Sequence, residues 1–218
     1  MRGELNRERI IEAALDLVDR DGLSALSTRK LGAALGVQGM AIYHHFPNKA
    51  AVLDAMVASI LPAAPASTGS WREDMRALSR DYRDTWNKHP ALLPRLLSRP
   101  THNHRMVALR EAQYAALRLA GLDGSALLDA HRTWGSYLLG YLIVEHHSRH
   151  GEFTDADWQP PLHASFPISA EIDAYQAGRD WDEQFDIGLE MILDGIAGIR
   201  DIGAHVVTNS CGPESGPP

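Results

Sequence analysis

Three groups of residues in this 218-residue chain are of types that do chemistry. His44 and His45 stand side by side between Tyr43 and Phe46. Glu145 and His146 are followed one helical turn on by His150, and His102 and His104 are separated by a single residue. Imidazoles with a carboxylate are the donors of zinc sites, so a metal-binding sensor or a hydrolase using the C-terminal histidines is one reading. The spacing argues against it. Neighbouring residues on a helix point about 100° apart, so His44 and His45 do not share an ion. His146 and His150 do share a face, but there is no His-Glu-x-x-His, no cysteine pair and no second carboxylate at ligand spacing. Histidines and Arg149 in a last helical turn also meet the negative end of the helix dipole, which accounts for them without a ligand. No Gly-x-Ser-x-Gly, phosphate-cradling glycine loop or dinucleotide fingerprint occurs, so the chain reads as a non-enzyme with no metal and no cofactor.

The totals describe what must position these groups. Hydrophobic residues make up 44% and charged residues 22%, ordinary for a soluble protein with a real core. The longest apolar run, Tyr137–Val144, is far too short to span a bilayer, and Glu4, Glu8 and Glu12 sit where a secretory signal needs apolar residues. One cysteine, Cys211, excludes an internal disulfide framework and suits a reducing cytoplasm. The net charge of −7 is unevenly spread. Residues 1–50 hold seven Lys or Arg against six Asp or Glu, and the remainder holds 14 against 22. All six of those acids precede residue 22, leaving 23–50 with Arg29, Lys30, Lys49 and two histidines. An acidic body with a locally basic end permits DNA binding through that end.

The elements read as helices throughout, an all-α chain. Ile10, Ile11, Ala14, Leu15, Leu17 and Val18 form a 3.6-period stripe from Asn6 to Arg20 that Gly22 ends. Ser27 or Thr28 caps a second helix over 28–35, stopped by Gly36. A short third helix over about 38–45 is closed by Pro47, and Asn48 caps a fourth, running to Pro62. The stretch 64–70, APASTGS, breaks the composition. Ser70 with Glu73 then opens a helix to His89, another spans 104–120, and a long one runs over 124–150. Residues 151–167 form a loop, and Asp180 with Glu183 opens a last helix to about 202. The expected division is an N-terminal domain over 1–50, a connecting helix over 48–62 and a larger helical domain over 51–205. A disordered tail over 206–218 completes it.

Two short helices joined by a tight glycine turn, with a longer helix in front, are the helix-turn-helix layout, in which one helix enters the major groove and its neighbour crosses the backbone. LSTRKLGAALGVQGMAIYHHFPNKAAVLDAM, residues 26–56, resembles the DNA-binding domain of the tetracycline-repressor family of bacterial regulators. The Thr-Arg opening helix two, the Leu-Gly-Val turn, the Tyr-x-His-Phe end of helix three and the following Asn-Lys stand in family order. The resemblance implies that Gln38, Gly39, Met40, Tyr43 and His44 face the groove and flanking phosphates. Arg29 has the donors to read a guanine edge, and Thr28 and Lys49 suit phosphates. Leu35, Ile42 and Phe46 are expected to pack, and His45 suits either role.

In this family the body dimerises through its last two long helices and encloses a small-molecule pocket. Leu127, His131, Trp134, Leu138, Tyr141 and Glu145 form one face of the 124–150 helix. Phe185, Leu189, Ile192, Leu193, Ile196 and Ile199 form a stripe on the last, with Gly188, Gly195 and Gly198 allowing close approach. Paired hairpins of this kind make an intersubunit four-helix bundle, although periodicity alone does not separate that from intrachain core. WGSYLLGYLIVEHH and FDIGLEMILDGIAGI resemble the dimer helices of the class that names the family. Gln113 stands where that class has a ligand-contacting glutamine, and His102 or His104 where it has a loop histidine. The chain departs from it in ILPAAPA, which lacks the drug-gripping histidine, and in Glu145, which comes one residue late after Gly140. The expected pocket draws on Trp86, His102, His104, Gln113, His131, Trp134, Tyr137, Tyr141 and Glu145, for an aromatic or amphipathic effector. The expected whole is a cytoplasmic homodimeric repressor, released from a palindromic double-stranded operator by a small molecule, with no membrane partner.

Overall fold

The computed structural model describes residues 4–93, 95, 103–149, 166–173, 175 and 179–209; side chains at 173 and 200–209 are not described. Every regular element among them is helical. α1, Arg7–Asp21, is opened by Asn6, whose side chain accepts from the Arg9 N–H at 2.9 Å, and closed by Gly22, which takes a φ of 79°. Ile10, Ala14, Leu17 and Val18 are its buried face. α2, Thr28–Leu35, has Ser27 as its cap, and Gly36 stops it in the left-handed region at φ 68°. Asn48 caps α3, Lys49–Ile60, through the Ala51 N–H. In each case a short oxygen-bearing side chain satisfies a donor that the first helical turn leaves orphaned.

The third helix of the head is a 3₁₀ helix, Gly39–His44. Its geometry follows from crowding. A Cβ placed on Gly39 would lie 2.8 Å from the Thr28 carbonyl oxygen, and one on Gly32 would lie 2.8 Å from the Gly39 nitrogen. Two backbones meet where neither residue has a side chain, and the tighter 3₁₀ winding suits so short a segment. Ile42 and Phe46 are buried in the core of the head, as are Leu31, Val18 and Met56.

Contacts group the chain into two compact units: Met1–Ala66 with Ala77–Gln113, and Ser67–Arg76 with Tyr114–Pro218. α4, Trp71–Lys88, and α5, His104–Leu119, contribute to both. At the start of α4 the Asp74 carboxylate accepts from the Thr68 N–H at 2.8 Å and from the Ser67 and Thr68 hydroxyls.

In the second unit, α6 spans Gly124–Arg149 and α8 spans Trp181–Asn209. They run antiparallel: the Tyr141 hydroxyl donates to the Trp181 carbonyl, and the Tyr137 hydroxyl to that of Phe185 at 2.8 Å. Leu138 and Leu142 of α6 and Phe185, Leu189, Leu193 and Ile196 of α8 are buried. Arg76 makes a bidentate pair with Glu190, at 2.6 and 2.7 Å, and Arg72 reaches Asp194, fastening the start of α4 to α8. Four residues of the expected dimer stripe on α8 are therefore buried within the chain, Ile192 and Ile199 are half-buried, and Gly188 makes room for Tyr137. A short helix that the sequence reading passed over, α7, Pro167–Asp173, begins with a proline at the position where a missing N–H costs nothing. The last helix continues to Asn209, beyond residue 202; residues 151–165 of the loop expected over 151–167, and residues 210–218, lie outside the described residues.

Candidate nucleic-acid interface and effector pocket

The head holds its recognition segment by two devices. One is the Gly32–Gly39 crossing. The other is Arg7, whose guanidinium donates to the His45 carbonyl at the end of the 3₁₀ helix and lies 4.0 Å over the Phe46 ring. A cation there satisfies a terminal carbonyl and stacks on an aromatic face at once. Sequence reasoning missed Arg7, because only the tertiary fold brings residues 7 and 45 together.

With the backbone so fixed, Arg29, Gln38, Met40, Tyr43, His44 and Lys49 are all exposed, and Thr28 and Gly39 are half-buried. Met40, 69% exposed, and Tyr43, 42%, are large apolar side chains left in water on a segment whose Ile42 is buried. Of the three residues expected to pack, Ile42 and Phe46 are buried and Leu35 is half-buried. The backbone of Gly39 is pressed on Thr28. His45 is half-buried and its carbonyl is held by Arg7. Lys49 begins α3, where helix N–H groups converge.

The residues expected to contact an effector fall into two groups. Trp86 and Gln113 come together in a narrow hollow of the first unit. Leu61 and Pro62 after α3, Leu78, Asp81, Tyr82 and Thr85 of α4, and Leu109 of α5 complete its lining. Leu78, Tyr82 and Trp86 lie at successive turns of one helix face, and Leu109 and Gln113 do so on another, a spacing signal present in the sequence. Burial pushes the Tyr82 phenol pKa up.

The other residues pack against partners in the second unit. The His131 ring stacks edge-on to Tyr114, with centroids 4.8 Å apart, and tilts against Trp134 at 5.9 Å. Tyr137 and Tyr141 pack with each other and with Phe185, and Tyr141 also meets Trp181. Glu145 is fully buried and accepts from Arg149. His104 is exposed at the first residue of α5, and His102 lies outside the described residues. Among the described residues no three His, Cys, Asp or Glu side chains stand within reach of one ion, and no helix is long and apolar enough to cross a membrane.

An all-helical chain with a glycine-braced helix-turn-helix head and a helical hairpin in its body is of the DNA-binding regulator class. The particular family is shown by the sequence. The model of bacterial regulatory proteins of the tetR family matches residues 10–56, and that of the tetracyclin repressor-like C-terminal domain matches residues 61–199. The chain belongs to this family, and its relatives are named transcriptional regulators and repressors. It is 33% identical to the class A tetracycline repressor from transposon 1721 of Escherichia coli, over 98% of each chain. Among solved structures it resembles ActR of Streptomyces coelicolor in complex with actinorhodin, with TM-score 0.77 and 26% identity over 90% of this chain and 100% of that one. It also resembles BioQ with its double-stranded DNA operator, with TM-score 0.64 and 26% identity over 89% and 99%.

Proposed function

We propose that this protein is a homodimeric transcriptional repressor that leaves a palindromic double-stranded operator when a small aromatic or amphipathic effector binds. The observation that carries the reading is the braced head: a short recognition segment locked by Gly32, Gly39 and Arg7 presents Gln38, Met40, Tyr43 and His44 to solvent. Arg29 is suited to a guanine edge and the Met40 side chain to a thymine methyl, while Thr28 and Lys49 suit phosphates. The hollow around Trp86 and Gln113 is the effector's place in this reading, being mostly apolar with a few polar groups. Effector binding favours a head spacing that mismatches the operator, and by linkage the operator weakens effector binding.

A fluorescence-anisotropy titration tests the proposal, with duplex DNA from upstream of the protein's own gene beside a scrambled duplex, at two salt concentrations. Wild type is expected to prefer the native duplex by about a hundredfold or more, with a steep salt slope. Arg29→Ala is expected to lose ~1–3 kcal/mol of discrimination at one base pair, whereas Lys49→Ala weakens all sequences alike and flattens the salt dependence. Equal losses on every duplex for Arg29→Ala would remove it from base reading. Indistinguishable binding of both duplexes by wild type counts against a specific operator upstream of the gene.

A further inference from the structure

The stretch of chain that follows α4 meets the DNA-binding head at two points, and both contacts join opposite charges. His89, the residue before a single 3₁₀ turn at Pro90–Leu92, holds its Nδ1 2.8 Å from the Asp19 carboxylate of α1. A carboxylate only accepts, so the ring donates from Nδ1. Further along, the Arg95 guanidinium donates to the Asp54 carboxylate of α3. The Arg95 side chain is 10% exposed, so its charge has lost most of its water and needs the acid. Leu92 and Leu93, between the two pairs, are buried, and the 3₁₀ turn packs against α1. All four charged residues belong to one compact unit. Stability is a poor account of this arrangement, because part-exposed ion pairs add little and α1 and α3 already pack on each other. What two pairs add is direction. A single contact leaves a domain free to turn about it; two contacts on different helices, with an apolar anchor between them, do not.

We propose, resting on the reading of this protein as a dimer on a palindromic operator, that the stretch after α4 is a strut that orients the head. Asp19, His89, Asp54 and Arg95 are its positioning residues, and through them the dimer accepts one half-site spacing. They act through the direction in which the head points and not through a base. One base pair more or less between half-sites moves the second by about 3.4 Å and turns it by roughly 34°. Heads held at two points do not follow that displacement, whereas heads released from the strut do.

The test adds two duplexes to the anisotropy titration of the full-length protein: the native one with a base pair inserted at its dyad, and the same with one removed. Wild type is expected to bind each about tenfold or more weakly than the native duplex. Two variants release the strut. Asp19→Asn removes one ion pair at an exposed site, and Asp54→Asn/Arg95→Gln removes both charges of the other, so that no buried cation is left alone. In each the spacing penalty is expected to shrink to about threefold or less, while the preference for the native over the scrambled duplex persists. Helical circular dichroism shows that each variant is folded, and Asp19→Asn carries the test by itself if the double variant is not. A folded variant that rejects the shifted duplexes as strongly as wild type overturns the strut. So does one that loses the same factor on all three duplexes, which is what destabilisation alone would produce. Equal binding of all three by wild type overturns it as well. If wild type does not prefer the native to the scrambled duplex, the operator reading fails first, and this inference with it.

Discussion

Single residues in this protein matter through what they fasten. Arg7 is formally one charge on a first helical turn, yet it closes the end of the recognition segment and stacks on Phe46, the largest side chain at the centre of the head. Asp74 does similar work in the body. Burial by itself would raise its pKa, but the hydrogen bonds from Ser67 and from the backbone and hydroxyl of Thr68 outweigh this and leave it lowered. A carboxyl depressed in the folded state stabilises the fold above its unfolded pKa, and the contribution disappears as pH falls through the folded value. Asp74→Ala is therefore expected to cost about 1–3 kcal/mol at pH 7 and progressively less below about pH 4. Urea unfolding of both proteins from pH 7 to pH 3 checks this, and a gap that does not narrow in acid would show that the hydrogen bonds to the ionised carboxylate are not its source.

The elements are short and depend on close approach. α2 and the 3₁₀ helix touch backbone to backbone, so the position of the recognition segment is set by the absence of side chains at Gly32 and Gly39. Gly39→Ala forces the segment away from Thr28, which is backbone and does not yield as a flexible side chain would. We expect a loss of about 1–3 kcal/mol in stability, lowering the melting temperature by several degrees, and a fall in operator affinity from the displaced side chains. Thermal unfolding followed by circular dichroism, with anisotropy on the operator duplex, reads both. Unchanged melting and affinity would mean the crossing is looser than the 2.8 Å approach implies.

At the scale of the whole molecule, α8 has two faces with different fates. Phe185, Leu189, Leu193 and Ile196 are spent on the chain's own core. A second stripe at i, i+4, i+8 and i+11 carries Ile187, 40% exposed, and Met191, 69% exposed. Gly195 and Gly198 continue it, with nothing within 4 Å of a Cβ built on either. An apolar, glycine-bearing stripe on a long helix is what a second copy would cover, so the proposed dimer seats here and not on the stripe already buried. Met191→Arg is expected to convert the protein from dimer to monomer in sedimentation velocity at micromolar concentration, with its helical circular dichroism retained. Operator affinity falls with it, because two heads must bind together. Leu189→Arg, by contrast, is expected to unfold the body, since the charge would lie in the core. A Met191→Arg protein that still sediments as a dimer would move the interface elsewhere.

What could be read from the sequence was whatever is encoded locally. Helix ends depend on one capping side chain or one glycine, and so Ser70, Gly121 and Asn48 placed the helices within a residue or two of Trp71–Lys88, His104–Leu119 and Lys49–Ile60. The basic 23–50 stretch and the order of motifs over 26–56 identified the head for the same reason. Tertiary structure decided which surface meets which. A 3.6-residue stripe states that a face is apolar and not what covers it, so α8's main stripe proved to be core. Trp86 and Gln113 were brought to one hollow, whereas His131, Trp134, Tyr137, Tyr141 and Glu145 were packed among themselves and their neighbours. Arg7 over Phe46 and Gly32 against Gly39 were likewise beyond local reading, because they join residues whose separation along the chain carries no periodic signal. Periodicity and caps are properties of a few successive residues; burial and close approach exist only once distant segments have met.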